Sequence, residues 1–248
     1  MARIVLTFTM IVAAFHFLIP RLGDFFGIAP WRFIGLSMYL PAVILGTRSW
    51  WKTRSFARSW PAVLCVLIAW VGLLYAGKTE SNRGVLIAAY LTMVLPVAAL
   101  IVENRCWWHC VRVYVVASVA ALALVIWFEC RTHAGAMHLS LIRFGLLVSE
   151  DQSRYTANPN QVGGQLAFVA VLGFMLYLRR EAARLRQAST PPRQDAFGLA
   201  GVVFLSLGCI LTASRGAFVS WFGGMALLLF YGTGRIAPSK FKDLVALF

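Results

Sequence analysis

Charge is scarce in this chain, and acidic charge is the scarcest. Asp and Glu number 9 against 23 Lys and Arg, and all charged residues together fill 13% of 248 positions. Soluble domains carry nearer a quarter. Nearly all of the charge sits in short polar stretches that separate apolar blocks about as long as a bilayer is thick. This shortage excludes a soluble enzyme, a secreted disulfide scaffold and a disordered regulator. With 60% hydrophobic residues, the chain reads as an all-α, polytopic helical membrane protein. A formal net charge of +14 would ordinarily suggest a nucleic-acid partner. In a membrane protein topology accounts for the charge first, and no nucleic-acid partner is expected.

Other absences narrow the reading further. There is no internal repeat, low-complexity tract or second domain, so residues 1–248 read as one transmembrane helical domain. No A-x-A-like cleavage site follows the apolar run Met1 to Pro20, which is read as a retained helix. Cys106, His109 and Cys110 have metal-ligand character, but no second ligand pair follows and tetrahedral zinc needs a fourth donor. No metal and no cofactor is expected. Cys130 has no evident partner on its side of the membrane, so no structural disulfide is expected either.

Against the roughly 20 residues needed to span, eight apolar runs qualify: Ile4 to Ile19, Ile28 to Gly46, Pro61 to Ala76, Val85 to Val102, Val113 to Phe128, Val162 to Leu178, Gly198 to Ala213 and Ala217 to Gly232. Cytoplasmic loops retain Lys and Arg. With the N-terminus inside, 15 of the 23 fall on the cytoplasmic side, five of them in the loop from Arg179 to Arg193. Both termini are therefore placed in the cytoplasm. Trp50, Trp51, Trp60, Trp107 and Trp108 flank the inner loops, as rings at headgroup depth do. His16 lies within the first run, where a neutral imidazole can bond a neighbouring helix. Gly223-Gly224 reads as a close-packing point between helices, since no strand precedes it to make a phosphate cradle.

The longest outer segment, Glu129 to Gln161, is about 33 residues, and loops of that length are usually functional or mobile. Within it Met137, Leu141, Phe144 and Val148 recur at helical spacing beside His138 and Arg143, predicting a short surface helix. Pro191-Pro192 stops any helix continuing from the sixth run.

Two stretches carry chemistry. Between Gly198 and Gly232 the one charge is Arg215, at the midpoint of 35 residues. A single helix of that length would reach about 52 Å, too long for one span. The chain must turn near Arg215, with Gly216 easing the reversal. Two accounts of the side chain stay open. A guanidinium facing the bundle interior suits a phosphate or diphosphate that its planar fork can grip; one facing outward snorkels to headgroups. The second stretch, Arg154-Tyr155-Thr156-Ala157-Asn158-Pro159-Asn160-Gln161-Val162-Gly163-Gly164, leads into the sixth run. Its Asn-Pro-Asn turn can cap a helix start, and helix N-termini also attract anions.

On Asn158-Pro159-Asn160 and Thr212-Ala213-Ser214-Arg215-Gly216 the chain resembles the O-antigen ligase and O-antigen polymerase family of bacterial inner-membrane glycan transferases. The resemblance covers roughly Tyr155 to Gly232 by motif, and the earlier runs by hydropathy alone. It implies a metal-independent glycosyltransferase of lipopolysaccharide or related polysaccharide biosynthesis, which moves a glycan from undecaprenyl diphosphate to a sugar hydroxyl on the periplasmic face. The acceptor would be lipid A core for a ligase and another lipid-linked glycan for a polymerase. Arg215 would be the catalytic cation on the leaving diphosphate. Ser214, Asn158, Asn160, Arg154 and Arg143 are the further candidates for diphosphate or glycan contact. The family usually has about four more spans and a large periplasmic loop bearing another Arg and a His. On that comparison the chain reads as the N-terminal two-thirds of a longer architecture, with His133 and His138 the remaining candidates for a base. Competing classes are a flippase-like carrier of a lipid-linked anion and a structural subunit of a polysaccharide export complex.

Overall fold

The structure is a computed structural model, and it describes residues 1–18, 39–52, 64, 67, 68, 70, 71, 81–132, 159–187, 193–212 and 214–233. Among the described residues there are seven helices and no strand. They are α1 (Ala2–Leu18), α2 (Leu40–Lys52), α3 (Ser81–Glu103), α4 (Trp107–Thr132), α5 (Pro159–Gln187), α6 (Arg193–Leu211) and α7 (Arg215–Thr233). Two described segments are long and apolar enough to cross a membrane, Trp107–Leu124 in α4 and Val162–Ala183 in α5. The run Pro61 to Ala76, most of Ile28 to Gly46, and the helix expected around Met137 to Val148 lie mainly or wholly outside the described residues.

The chain divides into two compact units, Met1–Val12 with Pro30–Cys110 and Ala13–Ala29 with Val111–Phe248. In the first, α2 packs on α3 where Gly46 lies against the backbone of Pro96. A side chain at position 46 would occupy the space of the Pro96 carbonyl, so glycine sets how closely the two helices approach. Helix α2 continues past Gly46, the last residue of its apolar run, to Lys52, and the glycine serves the helix crossing. Pro96 cannot donate to the carbonyl of Thr92 one turn earlier, and the Trp70 indole N–H donates to the Thr92 hydroxyl at 3.0 Å.

The turn from α3 to α4 is tied by paired bonds. The Cys106 N–H reaches Ile101 O at 3.0 Å and the Arg105 N–H reaches Val102 O at 3.1 Å, a Schellman closure. Arg105 takes the left-handed position, φ 50°, that glycine usually fills. Just beyond, His109 is held from α1. The Thr7 hydroxyl donates to Arg3 O at 2.8 Å and so accepts from His109 Nε2 at 2.8 Å, while Arg3 donates to Nδ1 at 3.3 Å. Arg has no acceptor, so this ring is the neutral Nε2–H tautomer. Both nitrogens of the histidine between Cys106 and Cys110 are thus engaged by protein groups.

The second unit is built around α5. Val162, Leu166, Val169 and Gly173 form one buried stripe of that helix, and Gly163, Ala167, Ala170 and Phe174 form the next. Helices α6 and α7 pack against these stripes, with Val202, Leu205, Cys209, Ala217 and Met225 completing the core beside Ala121 and Leu122 of α4. Gly224 of α7 lies on Val171, whose methyl would come within 2.6 Å of an added Cβ, whereas Gly223 faces open space. The expected packing point is therefore one glycine of the pair. Outward faces are also apolar: Phe218, Val219, Phe222, Leu227 and Phe230 of α7 are all exposed. A helix apolar on both its packed and its open faces suits lipid better than water.

Candidate functional site

The break between α6 and α7 falls at residues 212–214, and each polar group in it has a local reason to be there. Thr212, 1% exposed, donates both its hydroxyl, at 2.7 Å, and its backbone N–H, at 3.2 Å, to Cys209 O at the end of α6. Ser214, 6% exposed, is the N-cap of α7: its Oγ accepts the Ala217 N–H at 3.2 Å and its carbonyl accepts the Phe218 N–H at 3.0 Å. Arg215 is the first residue of α7 and is exposed. Gly216, expected to ease the reversal, instead lies inside the first turn of α7 with open space around it. The reversal lies before it, where Ser214 caps the start of α7.

The start of α5 packs onto this break. A Cβ added to Gly163 would lie 2.5 Å from Thr212 Oγ1, 2.8 Å from Ala217 Cβ and 3.1 Å from Ser214 Cβ. The Cys209 thiol points at Gly163 O, 3.7 Å away. The two stretches singled out in the sequence, about fifty residues apart, therefore meet at Gly163. Lower down, the Trp221 indole N–H donates to Ser206 Oγ at 3.0 Å and joins α7 to α6.

Of the sequence candidates, Arg215 and Ser214 are adjacent at this junction, with Arg215 outward and Ser214 inward. The Ser214 oxygen is committed to the cap, so its part is to orient the turn that presents Arg215. Asn160 lies in the first turn of α5, three residues before Gly163. Arg143, Arg154, Asn158, His133 and His138 lie outside the described residues. Sequence reasoning missed Gly163, Cys209 and Thr212 as the residues that join the two motifs. The signal available was a small residue at a helix start, which many unrelated helices share. No protein-family model, curated protein or solved structure matches the chain.

The electrostatics of the junction favour an anion. Arg215 places a cation at the positive end of a 19-residue helix, an unfavourable pairing costing about 0.3–1 kcal/mol. A negatively charged group at that spot would reverse the sign of the interaction and also receive the guanidinium fork.

Proposed function

We propose that the chain is a multi-pass protein of the bacterial inner membrane, eight spans with both termini cytoplasmic, that handles a glycan carried on undecaprenyl diphosphate at its periplasmic face. Arg215 grips the diphosphate, and the reaction is transfer of the glycan to a sugar hydroxyl, as in O-antigen ligases and polymerases. In that transfer the acceptor oxygen bonds to the anomeric carbon, its proton passes to a base, and the bond to the diphosphate oxygen breaks with both electrons leaving on phosphate. Charge grows on the leaving group, so a cation already in place lowers the barrier without moving.

One observation carries this reading: Gly163, one turn after Asn160 in α5, lies against Thr212, Ser214 and Ala217 of the α6–α7 break, so the helix that the Asn158-Pro159-Asn160 stretch leads into packs on the second stretch behind the resemblance. An exposed Arg at the N-terminus of an outwardly apolar helix adds to it, since such a site can take a charged headgroup while its lipid tail stays in the bilayer.

The test is binding of undecaprenyl diphosphate by purified wild type, Arg215→Lys and Arg215→Ala, with thermal stability followed in parallel. Loss of a charged, forked contact is worth about 1.5–3 kcal/mol, or roughly ten- to a hundredfold in affinity. Lys should bind more weakly than Arg because it keeps the charge and loses the fork. Equal binding by wild type and Lys would refute the fork, and equal binding by all three would remove Arg215 from the site. Sugar transfer by the purified protein separates an enzyme from a carrier, which would instead move labelled lipid between leaflets.

A further inference from the structure

At the far end of α5 lies a second cationic feature that the transfer reaction does not use. Helix α5 has 29 residues, about 43 Å at 1.5 Å each, whereas a hydrocarbon core is about 30 Å thick. Its surplus lies beyond Leu178, and that overhang carries Arg179, Arg180, Arg184 and Arg186 within eight residues. At about 100° per residue, Arg180 and Arg184 fall some 40° apart, and the arc from Arg186 through Arg179 to Arg184 covers roughly 160° of the helix surface. Glu181 falls outside that arc. The exposure pattern agrees, because Arg179, Arg180 and Ala183 are exposed while Glu181 and Ala182 are half-buried.

The start of α6 lies beside this end of α5, and Arg193 is its first residue. The Arg180 guanidinium passes 3.8 Å from the Cβ position of Gly198, beside the Tyr177 ring at the same distance. Phe197, next to that glycine, is 80% exposed. An exposed aromatic ring and a run of arginines, at the point where an apolar helix becomes polar, match the depth profile of a lipid surface: ring at the acyl boundary, charge among the headgroups. Arginines at a helix C-terminus also complement its negative end, which favours a helical overhang.

We infer that the α5 overhang and the start of α6 form a docking face for anionic phospholipid headgroups of the leaflet at that end of the helix. The inference rests on the membrane placement proposed above and is independent of the transfer chemistry at Arg215.

The experiment reconstitutes the full chain in bilayers of phosphatidylcholine with trace spin-labelled phosphatidylglycerol or phosphatidylcholine, and compares how strongly each associates. Wild type should prefer phosphatidylglycerol at low salt. The combined Arg180→Gln, Arg184→Gln and Arg186→Gln chain should lose that preference by roughly fivefold for each arginine, the effect of one basic residue at an anionic surface. The corresponding triple Lys chain should keep it, showing that charge and not folding was lost. Undiminished preference in the Gln chain would overturn the assignment. So would a wild type that ignores phosphatidylglycerol but retains polyglutamate, which would hand the face to an acidic protein segment. Failure of the wild type to enter the bilayer would instead overturn the membrane placement itself.

Discussion

Adjacent glycines at the start of α5 should respond oppositely to the same substitution. Gly163→Ala puts a methyl 2.5 Å from Thr212 Oγ1, 2.8 Å from Ala217 Cβ and 3.1 Å from Ser214 Cβ. Gly164→Ala meets nothing within 4 Å. Both changes gain helix propensity of about 1 kcal/mol or less, so that term nearly cancels when the two are compared. What remains is overpacking at position 163, about 1–3 kcal/mol. The upper part of that range applies, because two of the three contacts are Cβ atoms that can be relieved only by moving backbone. Gly164→Ala should therefore stabilise slightly, and Gly163→Ala should destabilise by about 1–2 kcal/mol after its propensity gain. Thermal unfolding of the two variants in one detergent, at one scan rate, provides the comparison. If the start of α5 carries the diphosphate site with Arg215, Gly163→Ala should also weaken undecaprenyl diphosphate binding, and Gly164→Ala should not. Equal melting temperatures for the two variants would refute the packing of α5 on the α6–α7 break, and the convergence of motifs would fall with it.

Removing the α7 cap with Ser214→Ala should cost about 0.5–2 kcal/mol, whereas Ser214→Asp should keep most of the stability by restoring an acceptor; unfolding in detergent measures both. If Ser214 acts by orienting Arg215, Ser214→Ala should weaken diphosphate binding and Ser214→Asp should restore orientation while adding a repelling charge, so its stability recovers and its binding does not. Arg105→Gly should stabilise the first unit by about 1 kcal/mol, since the left-handed backbone at φ 50° suits glycine. A lower melting temperature for that variant would mean that the Arg105 side chain supplies more than its backbone strain removes.

The helical character of the chain and the break near Arg215 are decided locally, and so they are legible in the sequence. Charge so sparse between Gly198 and Gly232, over a length no single span can use, forces a reversal wherever the one arginine sits. The details of that reversal were misread at Gly216 because a glycine beside a turn looks like its cause, when it lies inside the first turn of α7, behind the Ser214 cap. The role of Gly46 was not legible at all: only the neighbouring Pro96 carbonyl shows that it is a crossing point. Which of two adjacent glycines is needed, at 163 over 164 and at 224 over 223, is a question of what lies opposite, and periodicity within one helix carries no information about its partner's surface. The same holds for Arg3 and Thr7, which engage His109 across more than a hundred residues. Apolar length, charge placement and turn chemistry are properties of a segment, so the sequence alone determined them. The meeting of the α5 start with the α6–α7 break depends on how helices pack, and only the tertiary structure could decide it.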